Sequence, residues 1–360
     1  MKRITLLLTF TLVGCSHKSP APISVIEPTA PVVASRPKPP SPASADLSTQ
    51  SGPPGVLKYW NTGRDNVWSL AYGLDGKYLA TEDGSNLVKV LTAQSGKLLR
   101  SYQCPGYANE LFAYSANGRW LAINGEQNLI CLIDTQHLSM SRRLPRPDDA
   151  YSLQFSRDSR RLLAAGKSIT IWNTGTGQRL FHHNTSDTAF LMPNGRHFLR
   201  CSQSGKIRLC DAKTGKVRKS WQEPRSVNNS YYLKALSQNG KMLAVEKFEE
   251  GYITDAQGSI GFQKCSLRLL NSHTGRLLRV LRGDKVNPNA AFSPRGEILA
   301  NWSFDDRGPD QLAFWNIRTG QYKQVYSVGV LSAAFSPDGK TVAMSDTMGG
   351  INIFRVPNWQ

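Results

Sequence analysis

The side chains of this chain with the widest chemical range are its cysteines and histidines. Cys15 is followed by five more cysteines, an odd number, so in an oxidising compartment at least one must stay unpaired. Cys201 and Cys210 fall on neighbouring expected strands and could approach each other as a disulfide. The competing expectation is that each packs as a small hydrophobe. His182, His183 and His197 lie close together in sequence and raise the question of a metal. Adjacent residues of a strand point to opposite faces, so His182 and His183 cannot easily share one ion, and surface histidines are expected instead. Asp305 and Asp306 in "FDDRGPD" could meet calcium, but the D-x-D-x-D-G spacing of a calcium loop is lacking. There is no G-x-S-x-G, H-E-x-x-H, P-loop or C-x-x-C string. The expectation is a protein that is not an enzyme, with no catalytic residue, metal or cofactor.

Cys15 stands apart because of what precedes it. Lys2 and Arg3 open the chain, and "ITLLLTFTLV" (4–13) is an apolar run of ten residues, too short to span a bilayer, which takes roughly 20. It fits the central region of a secretory signal peptide. "LVGC" (12–15) resembles the lipobox of bacterial lipoproteins. That resemblance implies a signal peptide over 1–14, a diacylglyceryl thioether and an acylated amino terminus at Cys15, and stable attachment to a membrane through several acyl chains. Ser16, where an aspartate would favour inner-membrane retention, implies the outer membrane, facing the periplasm. After it, residues 16–54 hold ten prolines in 39 positions. Proline fixes φ and lacks the amide hydrogen, so this stretch reads as an extended tether from Cys15 to Pro54 that cannot pack a core.

Residues 55–360 are repetitive. "FSPDGKTVAMSD" (335–346) is echoed by "FSPRGEILANW", "LSQNGKMLAVE", "YSANGRWLAING", "YGLDGKYLATE", "FSRDSRRLLAAG" and "LMPNGRHFLRC", seven copies in all. A second beat follows, as in "WNTGTGQRL", "CDAKTGKVR", "LNSHTGRLL", "WNIRTGQYK" and, more weakly, "LTAQSGKLL". Asp-Gly and Asn-Gly between apolar runs mark tight hairpins, and a period of about 40 residues with four short strands is that of propeller blades. The pattern resembles the WD40 family over 56–360, although the family's Gly-His is absent and Trp-Asn closes the third strand only at Trp172-Asn173 and Trp315-Asn316. Labelling the strands a to d, seven a-b-c sets are followed by only six d strands. "GVLKYW" (55–60) is the missing seventh. The expected fold is an all-β, seven-bladed β-propeller, closed by an N-terminal strand joining the last blade. The propeller itself is expected to be monomeric.

"DAKTGKVRKSW" (211–221) also resembles the tryptophan-docking repeat of quinoprotein propellers, but Trp221 follows Gly215 by six residues instead of four. The resemblance keeps open a divergent enzyme, quinoprotein-like or metal-dependent, acting at the ring's centre. It equally points to non-enzymatic relatives, among them lipoproteins that assist outer-membrane protein insertion. The innermost strands "NAAF" and "SAAF" are small and apolar, which favours binding over catalysis.

Charge is the larger signal. The chain carries +18, of which +15 falls on the propeller. Much of it lies on the d strands: Lys97, Arg100, Arg142, Arg143, Lys216, Arg218, Lys219, Arg276 and Arg279. Such cations protect exposed edges from aggregation, or attract an anionic envelope polymer such as cell wall or lipid A. Nucleic acid is not expected as a partner. Finally, "EKFEEGYITDAQGSIGFQK" (246–264) separates the b and c strands of the fifth blade, where other blades have a few residues. Loops this long are uncommon and often functional. Phe248, Glu249, Glu250, Tyr252 and Phe262, with Asp255, are therefore expected to form a projecting hairpin that binds protein partners of the cell envelope. The function expected is a lipid-anchored scaffold of an envelope assembly or of a secretion or transfer machine.

Overall fold

The computed structural model describes residues 56–61, 66–73, 75–83, 87–103, 112–125, 128–137, 139–224, 228–255, 258–282, 289–302, 312–326, 329–347 and 349–359. The expected signal peptide (1–14), the lipidated Cys15 and the tether to Pro54 lie outside them. All assigned helix and strand structure in these residues is β: 28 strands in seven antiparallel sheets of four.

Strand β1 (Val56–Asn61) comes first. Blade one is β2 (Val67–Tyr72), β3 (Tyr78–Asp83), β4 (Leu87–Thr92) and β5 (Leu98–Gln103). Blade two is β6 (Phe112–Tyr114), β7 (Trp120–Gly125), β8 (Leu129–Asp134) and β9 (Ser139–Pro145). Blade three is β10 (Ser152–Phe155), β11 (Arg161–Ala165), β12 (Ser168–Asn173) and β13 (Arg179–Asn184). Blade four is β14 (Thr188–Leu191), β15 (His197–Cys201), β16 (Lys206–Asp211) and β17 (Val217–Gln222). Blade five is β18 (Asn229–Leu236), β19 (Met242–Asp255), β20 (Gly258–Asn271) and β21 (Leu277–Leu281). Blade six is β22 (Asn289–Phe292), β23 (Ile298–Trp302), β24 (Leu312–Asn316) and β25 (Tyr322–Tyr326). The chain then supplies three more strands, β26 (Val330–Phe335), β27 (Thr341–Asp346) and β28 (Gly350–Arg355). The fourth strand of that sheet is β1, with Trp60 opposite Ile351, Tyr59 opposite Asn352 and Lys58 opposite Ile353. The ring is closed by its two ends, as the count of d strands required.

The repeated motif has a physical reason in the a-b turn. Its serine accepts the amide of the residue that opens the next strand: Ser115 from Trp120 at 2.7 Å, Ser156 from Arg161 at 3.0 Å, Ser237 from Met242 at 2.9 Å and Ser336 from Thr341 at 3.0 Å. The turn's glycine takes a positive φ, as at Gly339 (+73°), a region L side chains enter at a cost. The blade without that glycine uses Ser159 at φ 58° instead, and Ser159 has a partner of its own, accepting the amide of Asn117 at 3.0 Å.

The core lies between blades. Within β12, Trp172 packs towards Trp120 and Leu132 of blade two, whereas Ile169 and Ile171 pack towards Leu191 and Phe198 of blade four. Alternation along a strand thus feeds two neighbouring layers.

A second device links the blades at their outer rims. One side chain near each outer strand reaches the c-d turn of the next blade, and six of the seven steps follow this form. Trp60 of blade seven covers Gly96 of blade one, Phe181 of blade three covers Gly215 of blade four, and Trp221 covers Gly275 of blade five. Arg100 donates to the Gln136 carbonyl at 2.5 Å, Arg142 to the Gly175 carbonyl, and Arg279 to the Arg318 carbonyl at 2.7 Å. At the remaining step Lys323 of blade six donates to the Asn358 carbonyl at 2.7 Å, just past β28. Part of the positive rim is therefore engaged in joining blades. Gly275 sits at φ +72° and any Cβ there would enter the Trp221 ring. Gly275→Ala is expected to cost roughly 2–4 kcal/mol, from left-handed strain plus overpacking. Gly175→Ala, whose nearest neighbour would be the Asn173 carboxamide at 3.4 Å, is expected to change stability by less than about 1 kcal/mol in the same urea titration.

Candidate functional site

The reactive residue types do not converge. Cys201 pairs with Ile207, and Cys210 with Phe198. Positions 198 and 201 lie on opposite faces of β15, so the two thiols do as well. Cys201 packs with Tyr231 and Leu233 towards blade five, and Cys210 with Ile169 and Ile171 towards blade three. The approach considered from sequence does not occur; a disulfide needs Cβ atoms that converge to about 4 Å. Cys201, Cys210 and Cys265 are free thiols. Burial, reinforced by the Asp187 and Glu223 carboxylates, pushes the Cys201 thiol well up, and burial with Glu246 pushes Cys265 up to about 11. At neutral pH neither is a thiolate nucleophile.

His182 bonds Thr170 at 2.9 Å, His183 stands 6.3 Å from the Phe181 ring, and His197 contacts Asn194 at 3.3 Å. The three do not share a centre. Among the described residues no group of three or more His, Cys, Asp or Glu side chains is placed to hold a metal; Asp305 and Asp306 lie outside them.

The sequence pattern missed a set of buried ion pairs. The position three residues before the end of the c strand carries Lys89, Arg208 and Arg268, which pair with Asp83 at 2.8 Å, Asp187 at 3.6 Å and Glu223 respectively. Arg200 also reaches Asp187, at 3.2 Å. In the seventh blade Asn352 replaces the cation and donates to Asp346 at 2.8 Å. A lone cation inside an apolar strand, as in "KIRLCD" and "SLRLLN", was the available signal. At the c-d turn of blade four, the amides of Thr214 and Lys213 and the Thr214 hydroxyl, at 2.9–3.0 Å, hold the Asp211 carboxyl well below the usual carboxylate range. That lowered pKa means the turn's contribution is present at neutral pH and is lost as pH falls towards the folded-state value.

A cavity of about 950 Å³ opens on the face of the b-c and d-a connections, lined by residues of six of the seven innermost strands. It is the mouth of the central channel. "NAAF" and "SAAF" are small there as expected, but blades three to five differ. Tyr151, Phe190, Tyr232 and Lys234 line the wall, and Trp302 adds a further aromatic. The Tyr151 hydroxyl donates to the Asp187 carbonyl at 2.9 Å, and burial, with Asp187, pushes its pKa up to about 12. Lys234 pairs with buried Glu246 at 2.9 Å and lies 5.6 Å from the Tyr232 ring. Lys167 and Asp149 pair at 2.7 Å at the rim. Aromatic faces with paired charges suit recognition of a ligand's surface.

The second feature on this face is the hairpin of blade five. β19 and β20 each run 14 residues, and their pairing continues unbroken from Met242 opposite Asn271 to Asp255 opposite Gly258. From Lys247 to Asp255 the rise is about 26 Å. Phe248 is half-buried, opposite Cys265 and Ser230. Glu249 pairs with Lys247 at 2.5 Å, and Glu250 is exposed, its amide donating to the Asn228 carbonyl at 3.1 Å. Position 252 stands opposite Gly261 and position 262 opposite Gly251. The register therefore separates the expected aromatic group: positions 248, 250 and 252 share one face, and positions 249 and 262 the other.

No protein-family model matches the chain, and no curated protein matches its sequence. Solved structures do match. One is the β-propeller domain of Myceliophteria thermophila Cps50 (Swd1), at 16% identity and a TM-score of 0.65, over 83% of this chain and all of that one. It stands among 1599 matching chains, so the likeness carries the architecture and no particular activity. With the seven sheets and the closure by β1, it shows that this chain has the WD40-like seven-bladed β-propeller fold.

Proposed function

We propose that this protein is a scaffold of the bacterial cell envelope, not an enzyme. Lipidation at Cys15 holds it to the outer membrane, the tether carries the propeller into the periplasm, and the face bearing the channel mouth and the β19–β20 hairpin binds partner proteins. One observation carries this: the hairpin's two strands have 14 residues each in a ring whose other described strands have eight or fewer. A strand pair extended this far past its neighbours has a reason to exist if it meets something else. The anchored tether raises the effective concentration of the propeller near membrane partners without a new contact.

The test is crosslinking in intact cells followed by mass spectrometry. Phe248→Ala with Tyr252→Ala is expected to lower recovery of the crosslinked partners by roughly tenfold or more, with membrane fractionation and thermal unfolding close to those of the parent. Cys15→Ala is expected to move the protein from the membrane to the soluble fraction. Unchanged partners with the first variant would remove the hairpin from the binding face, and membrane retention with the second would remove the lipid anchor.

A further inference from the structure

Among the described residues, no strand covers the outer edge of the hairpin. β21 pairs with β20 only over Leu267–Leu270, so from Gly258 to Ser266 β20 is bonded to β19 on one side and to no described strand on the other. Nine residues make an edge about 30 Å long. Every second N–H and C=O along it points sideways out of the ladder, which is a template for one more strand.

Composition separates this edge from the ring's others. Each outer strand, from "VLKYWN" in β1 to "LLRVL" in β21, carries at least one Lys or Arg in every six residues, and β9 also ends on Pro145. Such residues discourage pairing. "GSIGFQKCS" (258–266) has Lys264 alone and no proline, with Ile260 and Phe262 at positions that suit a pleated surface.

Charge selects the occupant. Beyond Glu246, whose charge Lys234 already pairs, residues 247–264 contain three acids, Glu249, Glu250 and Asp255, against Lys247 and Lys264, on a propeller of +15. Past the last β18 pair at Glu249 the hairpin runs about 20 Å, beyond the screening length of roughly 8–10 Å, so its own acidic balance governs what approaches its tip. A second copy would set acid against acid. We propose that the outer edge of β20, Gly258–Ser266, is a strand-addition site that takes an extended, basic segment of a partner protein. The inference rests on the scaffold reading and names the mode of capture.

Four synthetic decapeptides test it against the full chain: one alternating Lys and Val, two N-methylated forms of it, one on each alternate set of residues, and a Glu–Val counterpart. The Lys–Val peptide is expected to slow hydrogen exchange of alternate amides within 258–266. N-methylation of the pairing set, or Ser259→Lys with Gln263→Lys in the protein, is expected to weaken binding at least tenfold. Equal binding by both N-methylated forms would overturn strand addition in favour of side-chain docking. Equal protection by the Glu–Val peptide would overturn the choice of a basic segment. Protection without peptide that rises with protein concentration would assign the edge to a second copy, and protection independent of concentration would assign it to another part of this chain; either overturns the proposal. Cell crosslinking separates the two levels. Partners that survive Ser259→Lys with Gln263→Lys, whether or not they vanish when 248–264 is shortened, sink strand addition alone, whereas a parent chain that crosslinks to no partner sinks the scaffold reading.

Discussion

Replacing Trp60 with alanine is expected to lower the unfolding free energy by about 3–5 kcal/mol, measured by urea titration. Trp60 has no exposed surface and lies in one cluster with Val67, Leu70, Leu79 and Leu91 of blade one and Ile351 and Ile353 of blade seven. It sits on the strand that joins the two ends of the chain, where β1 completes blade seven and packs against blade one. A methyl group on Gly96 would lie 2.6 Å from its ring, so truncation leaves a cavity against backbone that cannot collapse into it. Leu57, on the same strand but 48% exposed, is the control, and Leu57→Ala is expected to change stability by less than about 0.5 kcal/mol. A midpoint shift at constant m-value identifies lost packing; a changed m-value identifies a ring that opens before it unfolds.

Arg268→Met is expected to cost a similar amount, about 3–5 kcal/mol, because it strands the Glu223 carboxylate without its cation. Glu223, just past the last strand of blade four, is 4% exposed, and Arg268 from the c strand of blade five is its ion-pair partner. Adding Glu223→Gln to Arg268→Met is expected to recover most of the loss, since a neutral amide no longer requires a buried counter-charge. The same double-mutant cycle on Arg218 and Asp211, an exposed pair at 3.4 Å, is expected to give a coupling below about 1 kcal/mol.

Different parts of the structure were visible in the sequence to different degrees. Turns were legible because their chemistry is local: the serine, the Asn or Asp and the positive-φ glycine of "FSPDGK" recur within one hairpin. The closing strand was legible by counting, since a seventh d strand was missing at one end and "GVLKYW" was left over at the other. What failed depended on register. Cys201 and Cys210 are near in sequence and on adjacent strands, yet pairing with Ile207 and Phe198 sends them to opposite faces. The faces on which the hairpin positions 248, 252 and 262 fall, left unassigned by the sequence, follow from the same arithmetic. Arg100, Arg142 and Arg279 read as a charged rim, whereas each donates to a carbonyl of the next blade's turn. That contact joins residues about 35–40 apart, and no local pattern announces it. The binding face is legible only in outline: the length of 246–264 marked the hairpin, but Tyr232 and Lys234 at the channel mouth lie in a strand, and Tyr151 just before one, whose pattern resembles any other.

The most direct test of the whole arrangement is hydrogen exchange at β28. In the full chain the amides of Gly350–Arg355 that face Val56–Asn61 are expected to exchange only through global unfolding. In a chain that begins at Thr62 they are expected to exchange faster by roughly a hundredfold or more. Equal protection of those amides in the two proteins would mean that β1 does not complete the seventh blade, and the ring, its seam and its two faces would have to be drawn differently.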